Sequence, residues 1–238
     1  MFDTTKAFFK VLFFMLGQTK RLRVVKKLDK EGNFAERDRL VNEIVPSWAQ
    51  YCFKATGATV EVSGLEKIPS DTAVVFIGNH QGIMDIPALF GYLGKPMTFV
   101  AKAELGKIPI LSDWMKMLQC TFIVRNNPRK SIQAIKDAAE GVRKGYSQVI
   151  FPEGTRSKGG PHNEFKPGSF KLAFLSKSPI VPFTIEGTYK IYEENKKVVP
   201  GQHVKITVHD PINTEGLSRE QQNGIPAMVE KIVCENLA

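Results

Sequence analysis

The stretch Val74-Val75-Phe76-Ile77-Gly78-Asn79-His80-Gln81-Gly82-Ile83-Met84-Asp85 joins a short apolar run to a polar segment with an imidazole and a carboxylate. A run of β-branched and apolar residues of this length predicts a buried strand. The stretch Val149-Ile150-Phe151-Pro152-Glu153-Gly154-Thr155-Arg156-Ser157 repeats the arrangement with a carboxylate, hydroxyls and a guanidinium. Open α/β sheets place their chemistry just past the carboxyl ends of strands. We therefore expect the first segment to activate a hydroxyl and the second to hold a phosphate beside it.

Around these two segments, short apolar runs alternate with helical patterns from Thr59 onward. The predicted strands are Thr59–Val62, Val74–Ile77, Thr98–Ala101, Thr121–Val124, Val149–Phe151, Val181–Ile185 and Val204–Val208. The predicted helices are Ile86–Leu93, Ile110–Leu118, Lys130–Lys144, Ser169–Ser176 and Arg219–Cys234. Such alternation predicts an α/β fold, a mainly parallel sheet flanked by helices on both faces. We assign this domain to residues 58–238.

The N-terminal residues 1–57 have a different pattern, which we interpret as a two-helix membrane-docking motif. Ala7 to Gly17 is apolar but has only about half of the ~20 residues needed to span a bilayer. Five cations follow it directly, Lys20, Arg21, Arg23, Lys26 and Lys27. An apolar helix beside basic residues is typical of a helix at the surface of an anionic membrane. The alternative for this short apolar stretch is a helix of the protein core.

The second predicted N-terminal helix runs from about Ala35 to Ala55, with a kink at Pro46, and ends at Gly57. The loop Asp29 to Asn33 joins it to the first helix. Apolar residues recur along it at spacings of three and four, so one side is strongly apolar. That side is equally consistent with membrane docking and with a contribution to the main core.

The composition restricts the partners and the compartment. The chain has 238 residues, 42% of them hydrophobic, and a formal net charge of +9, so its partners are expected to be anionic. The position of the basic cluster after an apolar stretch favours a membrane surface over nucleic acid, and we expect the cytoplasmic face of the cell membrane. The 3 cysteines are far apart and have no metal-binding spacing, which fits a reducing compartment. We expect no metal site.

The spacing of His80 and Asp85 favours a particular local geometry. If both residues were helical, a separation of five would place them some 140° apart around the helix axis. Gly82 permits a bend between them, and Asp85 followed by Ile86-Pro87 is a typical helix start. We therefore expect Asp85 to bond Nδ1–H of His80, leaving Nε2 free to take a proton. Neither polar segment has an obvious nucleophile turn, so the base is expected to activate a hydroxyl of the substrate.

Several motifs together resemble the lysophosphatidic acid acyltransferases, the 1-acyl-glycerol-3-phosphate O-acyltransferases among the glycerolipid acyltransferases. The His-x-x-x-x-Asp block of that family is similar to His80 to Asp85, and its Phe-Pro-Glu-Gly-Thr-Arg-Ser block is present unchanged at Phe151 to Ser157. A block with a lysine and a later arginine resembles Ala101 to Arg125. A proline in an apolar strand resembles Pro179 to Gly187, and Lys166-Pro167-Gly168 is similar to the Lys-x-Gly of the family.

The resemblance implies a direct acyl transfer in which His80, oriented by Asp85, deprotonates the sn-2 hydroxyl of lysophosphatidic acid as it attacks a thioester. It further implies an acceptor-phosphate site and an acyl or acceptor groove lined by one proline. The residues implied for the phosphate are Glu153, Gly154, Thr155 and Arg156, with positive charge added by Lys102 and Arg125, and the groove proline is Pro182. Without the resemblance, Pro182 is equally consistent with an edge strand. Positioning and base catalysis need no cofactor.

Three functions remain open at the level of sequence. The first is the acyltransferase above, with acyl-carrier protein or acyl-CoA as donor, since both donors are acidic. The second is a related acyltransferase with another acceptor, such as glycerol 3-phosphate or a different lysolipid, because it shares every motif. The third is a non-catalytic membrane-binding protein, which only the N-terminal pattern supports.

Overall fold

The computed structural model describes residues 4–124, 127–235 and 237, and it contains one sheet flanked by helices. The strands are β1 (Thr59–Ser63), β2 (Val75–Gly78), β3 (Met97–Lys102), β4 (Thr121–Ile123), β5 (Ser147–Ile150), β6 (Ile180–Glu186) and β7 (His203–Val208). The helices are α1 (Thr4–Gly17), α2 (Thr19–Lys30), α3 (Phe34–Thr56), α4 (Asp85–Tyr92), α5 (Leu111–Met117), α6 (Pro128–Arg143), α7 (Pro167–Ser176), α8 (Thr188–Ile191) and α9 (Arg219–Cys234). Two short 3-10 helices occupy Leu65–Lys67 and Ala103–Lys107.

The seven strands form one sheet in the order β1-β7-β6-β2-β5-β3-β4. All neighbouring pairs are parallel except β6 and β7, which are antiparallel. The expectation of a mainly parallel sheet covered by helices is confirmed. Each predicted strand of this sheet is present, and the ends of strands and of the five predicted helices differ from expectation by at most two residues.

Alternating side chains of the central strands divide the interior into two cores. On one face, Phe76, Val149 and Phe183 pack with apolar residues of α3 and α4. On the other face, Ile77 and Ile150 pack with residues of α6, α7 and α9. Both faces of the central strands are therefore buried, which is why these strands are uniformly apolar in sequence.

The N-terminal region contains three helices, so the expectation of two was wrong. The first predicted helix is divided at Gln18, which separates α1 from α2, and the basic cluster lies on α2. Leu22 and Val25 of α2 are buried against α3 and α5, while the five cations between and around them are exposed. The sequence of α2 is rich in charge and carries only this narrow apolar stripe. For this reason the sequence did not show that α2 is a helix separate from α1.

The third helix, α3, lies where the second helix was predicted and includes Pro46. Its residues Cys52 and Phe53 belong to the core formed with the sheet and α4. Arg37 of α3 is 2% exposed and donates hydrogen bonds to Asp29 (2.5 Å) and to the hydroxyl of Tyr146 (2.7 Å). The apolar side of α3 therefore contributes to the main core. The boundary at residue 57 stays a prediction, with extensive packing across it.

In α1, by contrast, large apolar side chains lie outside the core. Phe8 is 63% exposed and Phe13 is 66% exposed, whereas only Ala7 of this helix is buried. Phe14 stacks on Tyr51 of α3 with ring centroids 4.8 Å apart, which fixes α1 against the rest of the protein. Within the described ranges, no helix combines the length and the apolar character that crossing a bilayer requires.

Candidate active site

Three loops meet at one edge of the sheet and form the candidate site. Because β6, β2 and β5 are adjacent and parallel, their carboxyl ends lie side by side. The loops that follow them contain residues 79–85, 151–157 and 187–193. Hydrogen bonds join them: the Ser157 N–H donates to the carbonyl of His80 (2.8 Å), and the Gly187 N–H donates to Oε1 of Gln81 (2.8 Å). The two segments singled out in the sequence are thus neighbours, and a third segment completes the edge.

His80 and Asp85 make the expected contact. His80 lies in the loop after β2, Asp85 is the first residue of α4, and His80 Nδ1 is 2.6 Å from Asp85 Oδ2. The same oxygen accepts the backbone N–H groups of Gln81 (2.7 Å) and Gly82 (3.0 Å). Asp85 Oδ1 accepts the hydroxyl of Thr188. The carboxylate is fully buried and held by four donors, so its position relative to the imidazole is fixed.

An aromatic ring packs against the face of the His80 imidazole and also fixes its orientation. The imidazole stacks on Phe151 with centroids 4.0 Å apart and an interplanar angle of 14°. The side chain is 17% exposed, and its Nε2 makes no hydrogen bond within the described part of the chain. With Nδ1 bonded to a carboxylate, Nε2 is the nitrogen available to accept a proton.

Glu153 lies beneath this pair rather than at the surface. Its carboxylate is 1% exposed and accepts the backbone N–H of His80 (2.6 Å). Its second oxygen accepts both the N–H and the side-chain amide of Asn163 (2.9 Å each). The resemblance implied contact with the acceptor; the structure places this carboxylate between two loops of the protein, where it orients the backbone of His80.

Arg156 lies at the edge of the site with a partner that the sequence did not indicate. Its Nη1 donates to Oε1 of Glu193 at 2.8 Å, and the arginine side chain is 39% exposed. The same Oε1 accepts the backbone N–H of Ile83 at 2.8 Å. The guanidinium is thus held at one corner, and the rest of its planar fork has no hydrogen bond to the described residues and could meet an anion.

The turn at Gly154 brings a further amine close to the Arg156 loop. Gly154 has a φ of +71°, and a Cβ at this position would be 2.9 Å from Nζ of Lys166. Lys166 is exposed, as is Thr155. The loop therefore offers an amine, a hydroxyl and a guanidinium within a short stretch, a combination that suits a phosphate.

The other predicted binding residues are more dispersed. Lys102 ends β3 at the same edge of the sheet and pairs with Glu104 at 3.4 Å, with half of its side chain exposed. Pro182 is buried in β6, which lies between β7 and β2, so the edge-strand alternative is wrong. Because Pro182 is buried, its assignment to a groove stays a prediction. Arg125 lies outside the described residues.

Sequence analysis did not identify two buried polar residues that complete the site. Thr188, fully buried, holds Asp85, and Glu193, 4% exposed, holds Arg156. Both follow the carboxyl end of β6. The signal that identified the first two segments, polar residues after a buried strand, was also present here.

The cysteines and histidines give no sign of other chemistry. Burial raises the pKa of the thiols of Cys52 and Cys234 to about 12. Burial also raises the pKa of Cys120. Such thiols are poor nucleophiles, because the thiolate is the reactive form. No group of three or more metal-binding side chains occurs among the residues placed by the structure.

Comparisons with known proteins agree with this geometry. A family model described as Acyltransferase matches residues 59–186, more than half of the chain. A 1-acyl-sn-glycerol-3-phosphate acyltransferase of Borreliella burgdorferi is 32% identical over 182 residues, which are 76% of this chain and 72% of that protein. A chloroplastic 1-acyl-sn-glycerol-3-phosphate acyltransferase of Brassica napus is 37% identical over 154 residues, or 64% of this chain. The match spans 44% of that plant protein, less than half of its length.

A solved structure extends the similarity over the whole fold. The crystal structure of PlsC from Thermotoga maritima, a 1-acyl-sn-glycerophosphate acyltransferase, superposes with a TM-score of 0.82 at 28% sequence identity. The superposition covers 98% of this chain and 92% of that one. The family match includes the His80–Asp85 pair and the Glu153–Arg156 loop, and the chain therefore belongs to the acyltransferase family.

Proposed function

We propose that the protein transfers a fatty acyl group from an acyl thioester to the sn-2 hydroxyl of 1-acyl-glycerol 3-phosphate, giving phosphatidic acid for phospholipid synthesis. The observation that carries the proposal is the 2.6 Å contact between His80 Nδ1 and Asp85 Oδ2, which leaves Nε2 without a hydrogen bond among the described residues. The family membership and the names of its relatives support the same reaction.

The chemistry follows from the pair. His80 Nε2 removes the proton of the acceptor hydroxyl as its oxygen attacks the thioester carbonyl. The new C–O ester bond forms, the C–S bond breaks, and the proton on the imidazole passes to the leaving thiolate. Asp85, held by four donors, keeps the imidazole in the required tautomer and stabilises its protonated form. These steps use only groups of the protein and the two substrates.

The acceptor phosphate binds the loop after β5. Arg156 supplies the N–H groups that Glu193 leaves free, and the exposed hydroxyl of Thr155 donates beside it. The backbone of Gly154 approaches the anion closely, since this residue has no side chain to obstruct it. Lys102 and Lys166 add positive charge at the same edge. In this proposal the glycerol hydroxyl lies between the phosphate site and His80.

The protein performs this reaction at the cytoplasmic face of the cell membrane. The acceptor is a lipid, so the site must work where its acyl chain is buried. The exposed phenylalanines of α1 contact the acyl region, and the exposed cations of α2 contact anionic head groups. The N-terminal helices thus hold the water-soluble domain against its lipid substrate.

A panel of acceptors tests the proposal directly. Purified protein is incubated with a labelled acyl thioester and with 1-acyl-glycerol 3-phosphate, glycerol 3-phosphate or a lysolipid with a different head group, and the labelled lipid is identified. We expect phosphatidic acid as the main product. Faster transfer to glycerol 3-phosphate or to another lysolipid would establish the alternative acceptor. Parallel reactions with acyl-carrier protein and acyl-CoA identify the donor.

A further inference from the structure

Glu193 is a buried carboxylate that joins two loops of the site. It follows α8, it is 4% exposed, and it lies outside every motif that the resemblance supplied. Its Oε1 accepts the backbone N–H of Ile83 (2.8 Å) and Nη1 of Arg156 (2.8 Å). Ile83 belongs to the loop of His80, and Arg156 belongs to the phosphate loop. One oxygen therefore connects the base-bearing loop to the anion-binding loop.

The carboxylate of Glu193 is tightly packed around its second oxygen. Oε2 is buried and has no hydrogen-bond partner among the residues that the structure places. A Cβ built on Gly82 would be 2.7 Å from it, so a side chain at this turn would displace the carboxylate. A buried carboxylate oxygen without a protein partner costs free energy. The two hydrogen bonds that Oε1 accepts therefore set the position of this carboxylate.

From these contacts we infer that Glu193 is a positioning residue for Arg156, which fixes the guanidinium so that its free edge meets the acceptor phosphate. The inference rests on the proposed function for the identity of that ligand. A guanidinium is planar, so fixing Nη1 on one side restricts the plane of the whole fork. Bidentate binding of a phosphate depends on that plane. An arginine side chain that is 39% exposed loses this orientation without a fixed partner.

A purely structural role makes a different prediction. If Glu193 only stabilised the turn at Ile83, its loss would disturb the loop of His80 and lower kcat, or would raise the KM of both substrates together. A positioning role for Arg156 raises the KM of the acceptor alone. The two roles also differ in a double variant, because a residue that acts through Arg156 has no effect once Arg156 is absent.

The test compares Glu193→Gln, Glu193→Ala, Arg156→Ala and the double variant Glu193→Gln/Arg156→Ala with the unchanged protein. Glu194→Gln is the matched control, because it removes the same charge from the adjacent exposed position. We expect Glu193→Gln to raise the acceptor KM by about tenfold, since the ion pair with Arg156 becomes a weaker hydrogen bond from the guanidinium to an uncharged amide oxygen. Glu193→Ala raises it further, the donor KM stays within about twofold, and Glu194→Gln changes neither. In the Arg156→Ala background, Glu193→Gln has no further effect.

A second readout does not need turnover. The dissociation constant of inorganic phosphate, followed by chemical-shift changes in NMR titrations, should rise in Glu193→Gln and not rise further in the double variant. If the unchanged protein acylates no acceptor, the proposed function fails. The comparison of phosphate dissociation constants among the variants still decides the role of Glu193. Additive effects in the double variant, an equal rise of both KM values, or an absence of phosphate binding to the unchanged protein would each overturn the inference.

Discussion

The carboxylate of Glu153 accepts the backbone N–H of His80 at 2.6 Å, so the glutamate of one motif positions the histidine of the other. The two motifs are far apart in sequence, and the contact forms because β2 and β5 are neighbouring parallel strands. The other oxygen of the same carboxylate accepts the N–H and the side-chain amide of Asn163. The imidazole is therefore fixed through its backbone as well as through Asp85.

Replacing Glu153 with glutamine should lower kcat while leaving the acceptor KM nearly unchanged. The side chain keeps its shape but loses the charge that receives three N–H groups, so the loop of His80 loosens. We expect a decrease in kcat of about tenfold, equivalent to about 1.4 kcal/mol of transition-state stabilisation. Steady-state kinetics with both substrates measures this. A rise in acceptor KM with unchanged kcat would instead show that Glu153 binds the acceptor.

Replacing His80 with alanine should abolish acyl transfer without unfolding the protein. Loss of a general base typically costs ~10²–10⁴-fold in rate. The imidazole lies in a loop and its ring stacks on Phe151 outside the apolar cores, so the loss of packing is small. Initial rates with a labelled thioester give the effect, and circular dichroism checks the fold. His162→Ala is the control, because His162 pairs with Glu230 of α9 instead. Near-normal turnover by folded His80→Ala would refute the assignment of the base.

Replacing Arg156 with lysine should raise the acceptor KM and spare the donor KM. Lysine keeps the charge but not the planar fork, and it cannot hold Glu193 and a phosphate at the same time with fixed geometry. We expect the acceptor KM to rise by about tenfold or more, because one strong bidentate contact is lost. The measurement is the KM of each substrate at saturating levels of the other. Equal rises would point to a general disturbance of the site.

Replacing the five cations of α2 with glutamine should weaken binding to anionic vesicles and leave binding to neutral vesicles nearly unchanged. The changed residues are Lys20, Arg21, Arg23, Lys26 and Lys27, all exposed. Each cation near an anionic leaflet contributes about 1 kcal/mol. Lys26 also pairs with Asp113 at 2.8 Å, so its charge is partly used within the protein. We therefore expect the affinity for anionic vesicles to fall roughly 100-fold or more, which is less than the sum of five full contributions.

Vesicle sedimentation measures this loss, and the α6 side of the sheet provides a matched control. The exposed cations there are Arg129, Lys130, Lys136, Arg143 and Lys144, and α6 packs on the face of the sheet opposite α3. Replacing these five with glutamine makes the same change in net charge and should leave vesicle binding intact. Removal of residues 1–17 should weaken binding to both kinds of vesicle. Unchanged sedimentation in all variants would show that the N-terminal helices do not bind membranes.

Thiol reagents should not inhibit the native protein. With a pKa of about 12, the thiols of Cys52 and Cys234 are ionised in only about one molecule in ten thousand at pH 8. The raised pKa requires the folded environment, so the unfolded chain should react readily at all 3 cysteines. Mass spectrometry after iodoacetamide treatment, with and without denaturant, measures the difference. Rapid inactivation at pH 8 would indicate that a cysteine takes part in the reaction.

The central strands were predictable because each is a short apolar run buried on both faces, as Val75 to Ile77 illustrates. The contact of His80 with Asp85 was predictable because the loop with His80 leads directly to Asp85 at the start of α4, and a glycine lies between them. The contacts of Arg156 with Glu193 and of Asp85 with Thr188 were not. Glu193 and Thr188 reach the site only because β6 lies beside β2, and strand order is a property of the whole fold. The separation of α1 from α2 was hidden for a related reason, since the tertiary contacts of Leu22 and Val25 outweigh a sequence dominated by charge.

The position of β1 has a consequence for how the protein is made. This strand pairs in parallel with β7 alone, and Thr59 meets His203, which lies 144 residues further along the chain. A ribosome adds about 5–20 residues per second, so β1 waits roughly 7–30 s for its partner to be synthesised. Throughout that interval the segment that will form β1, with Val60 and Val62, lacks the strand with which it pairs in the folded protein. The nascent chain therefore passes through a stage in which an early-made strand is open to pairing with other chains, and the last strand of the sheet ends that exposure.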